Sequence, residues 1–307
     1  MTTDRTRWLT VGIVAFRRPD ALADALAALA APDIDVVVVN VGADPDVAVV
    51  ASRARNARTI AVENRGYAAA VNAMAATAIG DVVVFMNDDA RLDAAGARAL
   101  AAVVRAGVAD VAVPRVVGRD GRLERTVAAV PSPAALAREW LLLPDEPVAS
   151  VAGRVRVEKW RAPEQPERVE AASAIAVAAR TDLVLDVRLP EHYFLYWEES
   201  EWFWRLRERG AVVQYRPEVT CVHDGGRDDV RPEKSRLLAR NAVRCVRITQ
   251  GRARAAAAWL VVVAWNVRLV LVDGARCVVA PGPRRRARLR ARAAGLAAAG
   301  SSWREIR

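Results

Sequence analysis

The sequence predicts an α/β protein whose central sheet is mostly parallel and flanked by helices. Short apolar runs rich in β-branched residues alternate with helical patterns along the first third of the chain, as is typical of parallel βαβ units. The clearest run, Val82–Met86, is apolar throughout, which indicates a strand buried on both faces. It ends in Asn87, Asp88 and Asp89, and ligands of open α/β sheets bind beyond the carboxyl ends of the strands.

Strands and helices alternate regularly through residue 113. Pro19 follows the first predicted strand and suits the first position of a helix. Leucines three or four residues apart give this helix one apolar face: Leu22, Leu26 and Leu29. The spacing predicts strands over residues 10–15, 35–40, 58–62, 82–86 and 109–113, with helices over residues 19–31, 46–55, 68–78 and 93–106 between them.

The second half of the body is less regular. Six prolines within residues 131–168 predict a loop-rich insertion or lid. An apolar strand is expected over residues 169–178. Two short strands are expected over residues 211–215 and 218–222, and the second leads to His223, which precedes an Asp-Gly-Gly sequence and is one of two histidines in the chain.

Residues 191–210 hold a second unusual stretch. Four aromatic residues lie between Tyr193 and Trp197, and a helix follows that Gly210 ends. Its first turn carries three carboxylates: Glu198, Glu199 and Glu201. Taken alone, this stretch is explained by aromatic core packing and by the preference of helix starts for negative charge.

Asp88 and Asp89 allow two interpretations. Adjacent carboxylates at a strand end most often bind a divalent cation that bridges to phosphate. An Asn-Asp helix cap in a solvated turn explains the short motif equally well. The choice depends on the rest of the sequence.

The net charge of +10 is concentrated in the last quarter of the chain. Residues 1–239 carry 31 Lys and Arg against 34 Asp and Glu, whereas residues 240–307 carry 15 against 2. Charge segregated in this way indicates an anionic partner, either membrane lipid or nucleic acid. No recognisable nucleic-acid module precedes the basic segment, so nucleic acid is not expected as a partner.

The basic segment follows an apolar stretch over residues 255–280. No run there reaches the 18 apolar residues expected of a membrane-spanning helix. Asn266, Asp273 and Arg276 fall on one side, which predicts an amphipathic helix that lies on a bilayer or packs on the preceding domain. Six arginines follow within residues 284–292, a pattern attracted to anionic lipid.

Composition and motifs exclude several other classes. The three cysteines, Cys221, Cys245 and Cys277, have no paired spacing, so neither a disulfide framework nor a zinc site is predicted. The N-terminus shows no secretory signal, and a reducing compartment is expected. No Gly-x-Gly-x-x-Gly follows the first strand, which argues against a dinucleotide dehydrogenase.

Seven elements, in the same order, resemble motifs of the family 2 glycosyltransferases of the GT-A fold, in particular the bacterial rhamnosyl- and galactofuranosyltransferase-like members. The resemblance runs from about Val11 to Asn241. The matching elements are Val11–Pro19, Val39–Asp44, Asn64–Ala68 with Asn72, Asn87–Asp89, Tyr193–Glu201 with Arg205, His223–Gly226 and Arg240–Asn241.

The resemblance implies inverting transfer of a sugar from a nucleotide-diphosphate donor to a hydroxyl of a glycan or polyprenyl-linked acceptor, as in cell wall or polysaccharide biosynthesis. Glu199 would be the general base, and Asp89 with His223 would hold Mg²⁺ or Mn²⁺. Residues implied for nucleotide-sugar binding are Arg17, Asn40, Asn64, Gly66, Asn72, Asn87 and Asp88. Residues implied for the acceptor are Trp197, Glu198, Glu201, Trp202 and Arg205, although core packing explains the tryptophans equally well.

Two residues depart from the family pattern. Asn40 replaces the usual Asp that contacts the base, and Glu199 replaces the usual Asp of the general base. These departures leave a non-catalytic nucleotide-sugar-binding homologue at the membrane as the alternative function. Labelled nucleotide sugars, tested with and without Mn²⁺, would separate the two.

The domains are expected at residues 1–241 for the GT-A catalytic domain and 242–307 for a helical, Arg-rich C-terminal extension. The nucleotide-binding half would cover about 1–115 and the acceptor half about 116–241. The protein is expected to be cytoplasmic and peripheral on the inner face of the cell membrane, held there by its C-terminal arginines.

Overall fold

The computed structural model describes residues 8–142, 163–225 and 231–306. It divides the chain into two compact units, and the division does not follow the predicted boundary at residue 241. Unit 1 comprises Met1–Ala128, Arg161–Phe194 and Trp202–Gly225, and unit 2 comprises Ala129–Trp160, Leu195–Glu201 and Gly226–Arg307.

The elements of the first part of the chain alternate as predicted. In chain order they are β1 (Leu9–Ala15), α1 (Pro19–Ala28), β2 (Asp35–Val41), α2 (Pro45–Ser52), β3 (Ala57–Val62), α3 (Tyr67–Thr77), β4 (Val82–Asn87), β5 (Ala90–Arg91), α4 (Ala94–Arg105), β6 (Val111–Gly118), β7 (Leu123–Glu124) and β8 (Val127–Ala128).

The second part of the chain is mainly helical. Its elements are α5 (Pro133–Leu136), a π-helical stretch (Ala137–Leu142), β9 (Glu167–Arg168), β10 (Ala171–Ala172), β11 (Ala176–Arg180), α6 (Thr181–Asp186), α7 (Glu198–Glu208), β12 (Val213–His223), α8 (Pro232–Gln250), α9 (Arg252–Val279), α10 (Pro283–Ser301) and a 3₁₀ turn (Ser302–Glu305). Residues 143–162, which form most of the predicted insertion or lid, lie outside the described residues.

Unit 1 is built on a mixed, mostly parallel sheet, so the predicted fold class is confirmed. The strand order is β3-β2-β1-β4-β11-β6-β12-β5. β1 runs parallel to β2 and β4, and β2 runs parallel to β3. β11 runs antiparallel to β4 and β6, and β12 runs parallel to β6. The carboxyl ends of β1, β2 and β4 therefore meet at one edge of the sheet.

Helices cover both faces of this sheet. One apolar cluster joins the sheet to α1, α2 and α4, and the predicted leucines Leu22, Leu26 and Leu29 are buried in it. A second cluster on the other face contains Met74 of α3 and Trp202 of α7. Because both faces are covered, the central strands are apolar throughout, as the sequence predicted.

Three of the predicted strands differ from the structure. The single strand expected over residues 169–178 is broken, because β10 pairs with β8 in a small separate sheet while β11 joins the main sheet. The two strands expected over residues 211–222 are instead one strand, β12. Its register shifts between Arg216 and Thr220, and this irregularity accommodates Pro217, which has no N–H to donate.

Unit 2 contains a helical core. α8, α9 and α10 contribute small and aliphatic side chains to it, including Ala242, Val262 and Ala299. Asn266 and Asp273 of α9 are buried, so the predicted polar side of this helix packs inward, and Asp273 pairs with Arg276 and Arg292. By length and composition α9 could also span a membrane.

Candidate functional site

In unit 1, Asp88 and Asp89 lie directly after β4, at the sheet edge where the sequence predicted a ligand. Both are largely buried, with 6 % and 8 % of their surface exposed. Asp88 Oδ2 accepts a hydrogen bond of 2.9 Å from the backbone N–H of Phe16, which follows β1. The parallel arrangement of β1 and β4 therefore brings the two predicted strand-end segments together.

Asp89 is held between a guanidinium and an imidazole. The Arg18 side chain donates to Asp89 Oδ2, and His223 Nε2 lies 3.5 Å from Asp89 Oδ1. His223 Nδ1 lies 3.0 Å from Glu124 Oε2. The predicted pair Asp89 and His223 is thus brought together in unit 1, although the two residues are far apart in sequence.

The environment separates the pKa values of these groups. Burial raises the pKa of Asp88 to about 6, partly opposed by the hydrogen bond from Phe16. Burial also acts to raise the pKa of Asp89, but the hydrogen bond and charge of His223, together with Arg18, outweigh it and lower that pKa. Burial acts to lower the pKa of His223, but its two carboxylate partners outweigh burial and raise it. Adjacent carboxyls tuned in opposite directions are typical of functional sites.

The donor atoms around Asp89 suit a divalent cation in type. Carboxylate oxygen and imidazole nitrogen are both ligands of Mn²⁺, and Mg²⁺ accepts carboxylate oxygen. Among residues 8–142, 163–225 and 231–306, no three His, Cys, Asp or Glu side chains converge as a metal-binding group. The protein can therefore supply two ligands at this position, and a phosphate group would have to supply others.

Asn40, the nucleotide-binding residue predicted in β2, is placed differently from expectation. The Asn40 side chain donates to the Asp44 carbonyl and accepts from the Asp44 N–H, both at 2.8 Å, and only 2 % of the residue is exposed. Its side chain therefore braces the turn and is not presented to a nucleotide base, which corrects the prediction. These two hydrogen bonds explain why residue 40 is Asn where the family pattern has Asp, because only an amide side chain can both donate and accept there.

The segment around α3 is tied to the chain before α7. The backbone of Gly66 has φ +98°, and a Cβ there would lie 2.1 Å from the Phe194 carbonyl oxygen, so only glycine fits. The buried Asn72 side chain donates to the Leu189 carbonyl and to Glu191, each at 2.9 Å. Asn72 thus acts on this segment rather than directly on a ligand. Asn64 is exposed, and Asn87 is half-buried at the end of β4.

The carboxylates at the start of α7 belong to unit 2, whereas Trp202 and Arg205 of the same helix belong to unit 1. Glu198 and Glu201 are buried, and Glu199 is half-buried. Burial and the charge of Glu199 raise the pKa of Glu198 well above its ordinary value, and burial raises the pKa of Glu199. Burial thus opposes the preference of a helix start for negative charge at Glu199.

An asparagine clamp precedes these carboxylates. In unit 2 the buried Asn241 side chain donates to the carbonyl oxygens of Leu195, at 3.0 Å, and Tyr196, at 3.1 Å. Tyr196 and Trp197 both have left-handed backbone, with φ +68° and +78°. Such strain persists where surrounding contacts enforce it and is concentrated at functional sites. In the described part of the chain, the non-glycine residues with positive φ are Arg17, Ala43, Tyr196 and Trp197, all within predicted site segments.

The two predicted aromatic acceptor contacts differ in burial. Trp202 is fully buried, contacts the ring of Phe85 edge to face, and donates to the Val187 carbonyl. It is a core residue, and the acceptor assignment is wrong for it. Trp197 is half-buried in unit 2, where its Nε1 donates to the Leu238 carbonyl at 3.1 Å.

Sequence reasoning missed Arg18, Glu124 and the role of Asn241. Arg18 had a signal, because it follows β1 and so faces the same sheet edge as the residues that follow β4. Glu124 had none, since β7 is two residues long. Asn241 was identified only as part of a motif, and its hydrogen bonds depend on the folded unit.

Comparison with known proteins adds one family and several similar folds. Residues 10–148 match the family model described as Glycosyl transferase family 2. No curated protein matches the sequence. Because the structural neighbours below are at most 16 % identical, their likeness shows the fold alone.

Three solved structures illustrate this similarity. S. aureus TarS 1–349 has a TM-score of 0.51 at 14 % identity, over 97 % of this chain and 92 % of that chain. Glucosyl-3-phosphoglycerate synthase from Mycobacterium tuberculosis, in complex with Mg²⁺ and UDP, has a TM-score of 0.53 at 16 % identity, over 81 % of each chain. GalNAc-T7 with UDP, GalNAc and Mn²⁺ has a TM-score of 0.54 at 14 % identity, over 78 % of this chain and 47 % of that chain.

Proposed function

We propose that this chain, whose residues 10–148 match the family model Glycosyl transferase family 2 and which has the GT-A fold, transfers a sugar with inversion from a nucleotide-diphosphate donor. The observation that carries the proposal is the pair Asp88 and Asp89 at the sheet edge, joined by Arg18 and His223. A buried edge bearing both acidic and basic groups suits a diphosphate and its counter-cation.

Donor binding is assigned to unit 1. Asp89 and His223 would hold Mg²⁺ or Mn²⁺, with oxygens of the donor diphosphate as further ligands. The ion, when bound, would neutralise charge on the leaving diphosphate. Arg18 is a second cation at the same carboxylate and can contact the phosphate groups. Arg17, Asn64, Asn87 and Asp88 stay proposed contacts of the nucleotide sugar.

Proton removal is assigned to Glu199. The acceptor hydroxyl oxygen forms a bond to the anomeric carbon, the bond from that carbon to the diphosphate breaks, and the hydroxyl proton passes to the Glu199 carboxylate. Burial raises the pKa of Glu199, and a higher pKa makes its carboxylate a stronger proton acceptor. Burial and the neighbouring charge of Glu199 also raise the pKa of Glu198. Trp197 and Arg205 are proposed acceptor contacts.

The acceptor is proposed to be a glycan or a polyprenyl-linked sugar at the inner face of the cell membrane. The basis for this placement is the excess of 15 Lys and Arg over 2 Asp and Glu in residues 240–307, which suits an anionic membrane surface.

The test is transfer from labelled UDP- and dTDP-sugars by the full chain, with Mg²⁺, Mn²⁺ or EDTA. Glu199→Gln should lower transfer by about 10²–10⁴, the usual contribution of a general base, while donor binding by calorimetry is retained. Glu208→Gln, at the exposed end of the same helix, is the matched control and should keep normal turnover. Near-normal transfer by Glu199→Gln would contradict the base assignment. Donor binding without transfer or hydrolysis by the unmodified protein would instead support a non-catalytic sugar-nucleotide binder.

A further inference from the structure

The outward face of α9 is apolar along its length. Six residues on it are all exposed: Leu260, Ala264, Val267, Leu271, Ala275 and Val278. We call this set the apolar row. The exposed fraction is 62 % for Leu260, 66 % for Leu271 and 83 % for Val278. At 1.5 Å per residue the row is about 27 Å long.

Two polar residues of α9, Asn266 and Asp273, lie on the opposite, buried face. Asp273 forms ion pairs of 3.2 Å with Arg276 and with Arg292 of α10. Asn266 Nδ2 donates to the Val262 carbonyl at 2.8 Å. Gly295 of α10 allows the two helices to approach closely, since a Cβ there would lie 2.7 Å from Asn266 Oδ1. This face is therefore fixed within unit 2, and the apolar row is left facing outward.

Composition alone would allow α9 to cross a membrane, but its contacts favour a different placement. A spanning helix is apolar all round unless polar groups are paired inside a bundle. Here one face of α9 packs against α8 and α10 within unit 2. If α9 crossed a membrane, the exposed arginines of α10 would have to enter the hydrocarbon with it. A helix with one apolar face beside basic residues lies in the plane of the membrane interface.

The charge of the surroundings decides between lipid and a second copy of the chain. Arg284, Arg286 and Arg290 of α10 are exposed, and Arg268 is exposed on α9 itself. Two copies meeting through this face would bring two strongly basic segments together. An anionic lipid surface has the opposite charge, and each arginine near it strengthens binding.

We infer that the apolar row enters the interfacial layer of an anionic lipid membrane, with the arginines of α10 at the lipid phosphates. This deepens the placement made in the proposed function, because apolar insertion by α9, and not the arginine tail alone, holds the protein on the membrane. It does not depend on sugar transfer, so failure of one proposal is distinguishable from failure of the other.

The test is co-sedimentation of the full chain with vesicles of phosphatidylcholine alone or mixed with phosphatidylglycerol. Leu260→Glu with Leu271→Glu should lower the partition coefficient on mixed vesicles at least about a hundredfold, since burying each leucine is worth about tenfold or more. Val108→Glu in unit 1 replaces an apolar residue of 52 % exposure and should leave binding unchanged. Arg284→Gln with Arg286→Gln and Arg290→Gln should lower binding about fivefold per residue and reduce its salt dependence.

Several results would overturn the inference. The first is that the double leucine variant partitions onto mixed vesicles as strongly as the unmodified protein. The second is that the unmodified protein binds equally to vesicles with and without phosphatidylglycerol. The third is that the protein stays in membranes after alkaline carbonate extraction, which would indicate a spanning helix. Sedimentation analysis without lipid tests the alternative that a second copy of the chain covers the apolar row. A dimer that the leucine variant dissociates would support this alternative and overturn the inference. Circular dichroism melts of every variant show whether the fold is kept, and the arginine variant provides an independent arm if the leucine variant does not fold.

Discussion

Replacing Asp88 with asparagine should stabilise the folded protein at neutral pH while lowering sugar transfer. Burial raises the pKa of Asp88 from 3.8 to about 6. The folded state therefore holds this proton until about pH 6, whereas the unfolded chain releases it near pH 4. Between these values the folded state binds more protons, so stability falls as pH rises.

The size of the effect follows from the pKa difference. A difference of about 2 pKa units corresponds to about 3 kcal/mol of folding free energy lost above pH 6. Asparagine carries no charge at any pH, and its oxygen can still accept the hydrogen bond from the Phe16 N–H. The substitution should therefore recover up to about 3 kcal/mol at pH 7.5 and less than about 1 kcal/mol at pH 4.

Urea unfolding of the unmodified protein and of Asp88→Asn, at about pH 4 and pH 7.5 in EDTA without nucleotide, measures this difference. Asp81→Asn, which changes an exposed carboxylate just before β4, is the matched control and should show no such gain. Equal effects of Asp88→Asn at the two pH values would refute the reasoning, as would a loss of stability at pH 7.5. A stability gain combined with lost transfer would mark Asp88 as a residue retained for function at a cost in stability.

Two further substitutions test the parts of the fold that position the site. Gly66→Ala should lower the free energy of unfolding, measured with urea, by about 2–4 kcal/mol, because the added Cβ would clash with the Phe194 carbonyl oxygen and residue 66 has a left-handed backbone. Gly107 also has positive φ but has open space around it. Gly107→Ala is therefore the control and should lower the free energy of unfolding by only about 1 kcal/mol. Asn241→Ala should lower kcat about 10–100-fold with little change in donor KM, because Glu199 would lose its alignment. Asn241→Asp should have the same effect, because a carboxylate cannot donate hydrogen bonds to the Leu195 and Tyr196 carbonyl oxygens. A change in donor KM without a change in kcat would contradict a positioning role for Asn241.

The sequence by itself determined the class of fold and the edge of the sheet that carries the candidate site. Periodicity and β-branched runs are local properties, and they identified the alternation of strands and helices that ends at Asp88 and Asp89. The inward polar side of α9 was predictable for the same reason, since Asn266 and Asp273 are seven residues apart and share a helix face.

Only the tertiary structure decided which side chains remain available to a ligand. Asn40, Asn72 and Trp202 have residue types suited to binding, but hydrogen bonds and packing within the fold occupy them. Arg18 reaches Asp89 because β1 and β4 are neighbours in the sheet. His223 and Glu124 reach it because β12 pairs with β5 and β6, and β6 pairs with β7. The raised pKa of Glu199 likewise follows from burial, which depends on how distant segments pack and not on the helix start that the sequence displays.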